Sequence, residues 1–171
     1  MVKIDDIKYC IGKNYPIVRV MPNICASVLQ SMSCWVKSDE VSNSQMNKVK
    51  FILRSLGEEI MLKDEALFDV VTVISGSGPA YFLYLADLFL DFAQKMKLEP
   101  KLTEKLIKQT LFGTASLLLE TDKSVKSLID NIASKGGTTE AVFKILDEKH
   151  FGKIFLKALD AGHKRTSRHK P

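Results

Sequence analysis

From Pro79 to Met96 the chain is apolar on nearly every side that a helix could present, and Asp87 and Asp91, four residues apart, mark a narrow wet stripe. A helix so coated has to be covered on most of its faces. In a chain of 171 residues that is achieved most easily by packing on another subunit. The apolar stretch Pro79 to Ala86 is cut by Asp87, and Met1 is followed by Lys3, Asp5 and Asp6. The expectation is therefore no membrane span and no signal peptide. With 46% hydrophobic and 26% charged residues, the chain can bury a core as one or two small domains.

The first third reads as α/β. Ile17 to Met21 is a β-branched run closed by Pro22-Asn23, and Ser33 to Val36 is a second strand ended by Lys37-Ser38-Asp39. Met46, Val49, Ile52, Leu53 and Leu56 predict a helix over about 40–56 with Gly57 as its C-cap, followed by a third strand at 59–62. From Asp64 onward the pattern is helical. Ser75 to Pro79 reads as a loop with Ser77 as N-cap and Pro79 near the first helical position. Thr103 caps the next helix. Val125 to Ile132 makes a shorter one, Ala141 to Leu146 another, and a last helix runs from about Phe151 into a basic tail. The fold expected is an α/β portion, residues 1–64, followed by an all-α portion, residues 65–171.

Charge narrows the partners. The net +5 comes from Lys164, Arg165, Arg168 and Lys170 among the last eight residues, and without them 21 bases face 20 acids. A nucleic-acid surface needs bases spread over a folded face. No nucleic-acid partner is expected. Cys10, Cys25 and Cys34 form no C-x-x-C, and His150, His163 and His169 lack metal-site spacing, so the reading is a reducing cytoplasm and no metal. Cys25 and Cys34 read as small hydrophobes. Glu58, Glu59, Asp64 and Glu65 read as solvated charge at an element junction.

Two segments hold more Gly, Ser and Thr than helix packing requires. Ser134-Lys135-Gly136-Gly137-Thr138-Thr139 opens a helix, where backbone N–H groups and hydroxyls at the positive dipole end favour a small carboxylate. An ordinary interhelical turn with a Thr N-cap is the alternative. Ser75 to Pro79 carries the same double reading. No Gly-x-Gly-x-x-Gly or Walker motif occurs, so the chain has no pyrophosphate grip of its own.

Taken in order, Val18-Arg19-Val20-Met21-Pro22-Asn23, Ser75-Gly76-Ser77-Gly78-Pro79-Ala80-Tyr81 and Ser134 to Thr139 resemble pyrroline-5-carboxylate reductase, an NAD(P)H-dependent enzyme of proline synthesis. The resemblance spans essentially the whole chain. It implies the last part of a Rossmann domain plus the entire helical dimerisation domain, without the first βαβ units. It implies an interlocked homodimer whose substrate sites lie between the dinucleotide domain of one subunit and the helical domain of the other. By motif match, Ser134, Gly136, Gly137, Thr138 and Thr139 would hold the carboxylate of pyrroline-5-carboxylate or proline. Thr72 and Gly76 would line the pocket, Pro22 and Asn23 would lie by the nicotinamide, and Thr139 or a water would supply the proton.

Two departures stand out: Ile24-Cys25 follows Asn23 where the family usually has Thr-Pro, and Lys135 replaces the usual Pro. Loss of the pyrophosphate site should weaken cofactor binding by several orders of magnitude, at ~1.5–3 kcal/mol for each charged hydrogen bond. Two readings follow: half of a split reductase completed by a separate chain with the missing Rossmann portion, or a non-catalytic helical dimer. In either, strand 17–21 leaves an open sheet edge.

Overall fold

A computed structural model describes residues 2–12 and 14–168. The order is α1 (Ile4–Ile11), β1 (Val18–Met21), a 3₁₀ turn (Ile24–Val28), β2 (Ser31–Lys37), α2 (Asn43–Arg54) and β3 (Gly57–Met61). Helical structure follows: a 3₁₀ turn (Glu65–Leu67), α3 (Phe68–Val71), a π-turn (Thr72–Gly76), α4 (Gly78–Lys95), α5 (Pro100–Leu119), α6 (Val125–Ile132), α7 (Thr138–Glu148) and α8 (Phe151–Arg168). The α/β portion followed by helices is as the sequence predicts. The chain forms two compact units, residues 1–82 with 158–171, and residues 83–157.

In the first unit the sheet runs β1-β2-β3, antiparallel between β1 and β2 and parallel between β2 and β3. β2 is central and buried on both faces. Its alternation turns Met32, Cys34 and Val36 to a core completed by Ile4, Ile17 and Phe68. Trp35, on the opposite face, is fully buried, and its indole N–H donates to Glu59 Oε2 at 2.7 Å. Arg54 pairs with the other Glu59 oxygen at 3.1 Å. Burial pushes the Cys34 thiol up from its ordinary value, consistent with an inert core position. Among the described residues β1 pairs with β2 alone.

Several expectations are corrected. The helix after β2 begins one residue past Ser42, whose side chain forms a capping box with Gln45, and it runs to Arg54 with Ser55 as its C-cap. Gly57 is therefore no C-cap. It opens β3 at φ 137°, where a side chain would collide with the Ser31 backbone. The cap of α5 is Glu99, which accepts from Lys101 N and Leu102 N with Pro100 in the first turn; Thr103 lies buried inside the helix. The basic residues Lys164 and Arg165 belong to α8, whose negative dipole end favours them. Lys170 and His169 lie outside the described residues.

The junction carboxylates are also structural. Glu65 Oε1 accepts from Ile4 N at 2.9 Å and from Arg19 Nη1 at 2.8 Å, and the Arg19 guanidinium lies 4.2 Å from the Phe68 ring centroid. Asp64 caps the following 3₁₀ turn through Ala66 N. α1, absent from the sequence reading, is held down by this Glu65 contact and by the Lys8–Glu40 pair at 2.8 Å. The Lys8 ammonium, with help from Ser38, holds the Glu40 carboxyl down at about 2 from an ordinary 4.5. A depressed carboxyl stabilises the fold above pH 4.5 and ceases to do so as pH falls toward 2. Glu40→Gln should therefore flatten that part of the acid dependence of melting, read by Trp35 fluorescence, and leave the neutral-to-acid slope above pH 5 unchanged.

The stretch Glu65–Lys95 holds an 18-residue window of mean hydropathy 1.4. By length and composition alone that stretch could cross a membrane, a measure that the core helix of a soluble protein also meets. On α4, Leu85, Leu88, Phe89 and Phe92 form an exposed stripe at helical spacing, between 42% and 62% exposed.

Candidate functional site

In the first unit, four of the residues singled out from the sequence come together at the end of β1. Asn23 caps the 3₁₀ turn: its Oδ1 accepts from Cys25 N at 3.1 Å. Its Nδ2 donates to the Ser75 carbonyl at 3.1 Å, and its own N–H donates to the buried Ser31 Oγ at 3.1 Å. Pro22 is exposed beside it. Across from them the π-turn carries Thr72 and Gly76. The Thr72 hydroxyl donates to the Phe68 carbonyl at 2.6 Å with Met21 Sδ 3.0 Å away, and thioether sulfur is the weaker acceptor. A Cβ on Gly76 would meet Thr72 Cγ2, Met21 Cε and Met21 Sδ at 3.7–3.9 Å, so Gly76 faces Met21 at ordinary contact distance.

Ser75 to Pro79 is therefore no simple loop. Ser77 N donates to the Thr72 carbonyl five residues back, at 2.8 Å, and the helix is widened instead of broken. Such π-turns concentrate at functional sites. Sequence reasoning missed Met21 and Ser75 as partners in this cluster, because nothing in their spacing links residues so far apart.

In the second unit the loop from Ser134 leads into α7. Gly136 adopts φ 75°, a left-handed conformation that suits glycine. Gly137 is the N-cap, with no side-chain cap, so the Thr N-cap alternative is not what the loop uses. A Cβ on Gly137 would come within 2.7 Å of Ser134 Oγ and 3.0 Å of the Ser134 carbonyl, so a side chain here would force the Ser134 hydroxyl to turn and the loop backbone to shift. Ser134, Lys135, Gly136 and Thr138 are exposed, with Gly137 and Thr139 half-buried. The opening N–H groups of α7 have no intrahelical acceptor, which suits an anion. Glu140, which the sequence reading did not single out, already supplies one: its Oε2 accepts from Gly136 N at 2.6 Å. An acid three residues past the cap was the available signal.

Residues 65–169 match the family described as "Pyrroline-5-carboxylate reductase dimerisation". The chain belongs to the pyrroline-5-carboxylate reductase family. It is 32% identical over 164 residues to pyrroline-5-carboxylate reductase 2 of Bacillus subtilis, covering 96% of this chain and 59% of that protein. With the Pseudomonas aeruginosa reductase it shares 34% over 157 residues, 92% of this chain and 58% of that protein. A solved pyrroline-5-carboxylate reductase from Coxiella burnetii superposes with a TM-score of 0.88 at 33% identity, over 96% of this chain and 61% of that one. The Plasmodium falciparum pyrroline carboxylate reductase, solved with NADP bound, gives 0.88 at 28% identity, over 95% and 65%. The chain thus spans about three fifths of the family members it matches, as a remnant of the Rossmann domain followed by the helical dimerisation domain.

Proposed function

We propose that this chain is the dimerisation and substrate-binding part of a pyrroline-5-carboxylate reductase, catalysing NAD(P)H-dependent reduction of 1-pyrroline-5-carboxylate to L-proline once a separate chain supplies the missing Rossmann half. Residues 1–64 are the end of the dinucleotide-binding domain and 65–171 the helical domain, which pairs as a homodimer in the cytoplasm. The observation that carries this reading is the Ser134 to Thr139 turn opening α7, within a family match that begins at residue 65.

Ser134, Gly136, Gly137, Thr138 and Thr139 bind the substrate carboxylate through N–H and hydroxyl donors, and Thr139 stands as the proton source. The incoming carboxylate displaces or shares the place that Glu140 holds on Gly136 N. The reduced nicotinamide, when bound, supplies a hydride. The residues present fit one end of that cofactor. Pro22 and the exposed Ile24 offer an apolar edge for the ring, while Asn23 is committed to Cys25 and Ser75. These residues carry no glycine-rich turn for the pyrophosphate, so that grip has to come from outside them. The protein's work is to orient the reactants.

The test is pyrroline-5-carboxylate reduction by the purified chain, alone and mixed with an isolated dinucleotide half. Activity is expected in the mixture only, and it should fall by about 10²-fold or more in Gly137→Ala, where a lost carboxylate grip forfeits one or two charged hydrogen bonds. A mixture without activity or NADPH binding overturns the proposal in favour of the non-catalytic dimer.

A further inference from the structure

A proline inside a helix removes one N–H donor and presses its ring toward the carbonyl four residues back. Pro79 sits at the start of α4, and four residues before it is Ser75. Pro79 can therefore offer no N–H to the Ser75 carbonyl behind it. The next N–H along, that of Ala80, is directed to the Ser77 carbonyl at 2.9 Å. The chain answers the deficit from a distance: Asn23 Nδ2 reaches the Ser75 carbonyl at 3.1 Å, part-buried and 52 residues away in sequence. Which end of the Asn23 amide faces Ser75 is fixed by its neighbours, since Cys25 N–H requires an acceptor at Oδ1 and the Ser75 carbonyl requires a donor.

We infer that Asn23 is a positioning residue, its side-chain amide standing in for the N–H that Pro79 lacks and pinning the π-turn Thr72–Gly76 to the end of β1. A part-buried carbonyl left without a donor is costly, so the amide decides whether the wide turn holds its register. The turn then presents Thr72 and Gly76 at a fixed distance from Met21. On the reading above, which this inference rests on for its functional side, that fixes the wall of the substrate pocket. Thr72 and Gly76 act on substrate by position, and Asn23 acts through them.

Asn23→Asp is the discriminating variant. It is isosteric and still accepts from Cys25 N, but it sets a carboxylate oxygen against the Ser75 carbonyl. In the ¹⁵N-labelled chain, amide exchange at Ser77 should quicken by about tenfold or more, the loss of one buried hydrogen bond, with β2 exchange unchanged. The double variant Asn23→Asp with Pro79→Ala should recover wild-type exchange, because an alanine in place of the proline restores the missing N–H. A role in filling space would be blind to Asp and would gain nothing from Pro79→Ala.

Unchanged Ser77 exchange in Asn23→Asp, or failure of the double variant to recover, would each overturn the inference. Should Asn23→Asp not fold, the unsubstituted chain decides: the Asn23 Nδ2 protons must exchange about tenfold slower than a free side-chain amide, and exchange at the free rate overturns it. If L-proline does not bind the unsubstituted chain, the functional reading above fails, and the clamp itself stands or falls on the exchange data.

Discussion

Gly57→Ala is expected to unfold the sheet unit at temperatures where the parent chain is intact. At φ 137° the backbone of Gly57 lies where side chains are rarely tolerated. An added Cβ would overlap Ser31 O and Ser31 N and approach Gln30 C at 2.9 Å. Those atoms are backbone, held by the pairing of Ser31 with Gly57 and by Ser31 N donating to the Leu56 carbonyl at 2.8 Å. No rotamer change can relieve the clash. Backbone strain of roughly 1–3 kcal/mol and overpacking of a similar size together cost about 2–6 kcal/mol, against a total of about 5–15 kcal/mol for a domain. The melting midpoint should drop by ~10 °C or more. Trp35, the single tryptophan, pairs with Met61, on the same strand as Gly57, so its fluorescence reports the loss directly. A melt within a degree or two of the parent would show that the Ser31 to Gly57 junction yields more readily than its geometry indicates.

The second large effect concerns assembly. Leu85, Leu88, Phe89 and Phe92 are exposed on one side of α4, whereas Ala93 is buried within the chain and Asp87 and Asp91 mark a separate face. A stripe of this kind is what a homodimer would cover. Phe89→Asp removes an aromatic whose cover by a partner subunit would be worth roughly 1.5–3 kcal/mol, and a two-fold interface counts the change twice. Dimer affinity should weaken by on the order of 10²–10⁴ from lost burial alone, and the introduced carboxylates add to that. Sedimentation velocity at micromolar concentration should find the parent a dimer and Phe89→Asp a monomer with exposed apolar surface. A variant that stays dimeric places the interface elsewhere on the helical unit.

Much of this was readable from residues alone. The strands at Val18–Met21 and Ser31–Lys37 and the helices from α4 onward follow from β-branched runs and 3, 4 spacing. The turn at Ser134 to Thr139 was visible because glycines and threonines crowd a helix start. What escaped had its cause elsewhere in the chain. α1 has eight residues, too short to be stable by itself, and it is fixed by Glu65, 61 positions away. Gly57 looks like a helix cap until the parallel pairing of β3 shows that it must pass Ser31. The π-turn was hidden because Ser75 to Pro79 has the letters of an ordinary loop, and the donor to the Ser75 carbonyl is on Asn23, 52 positions away. Glu59 and Glu65 read as wet surface because their partners, Trp35, Arg54 and Arg19, are identified by folding and not by spacing.

The three strands among the described residues fall within residues 18–61, and the crossover that joins β2 through α2 to β3 is a short local one. Little loop-closure entropy opposes the pairing, so the sheet should nucleate fast. During translation at roughly 5–20 residues per second, its whole sequence has left the peptidyl-transferase centre several seconds before the last helix is made. The ribosome therefore presents a formed sheet first and the greasy helices afterwards, so the two halves need not search for their folds at the same time.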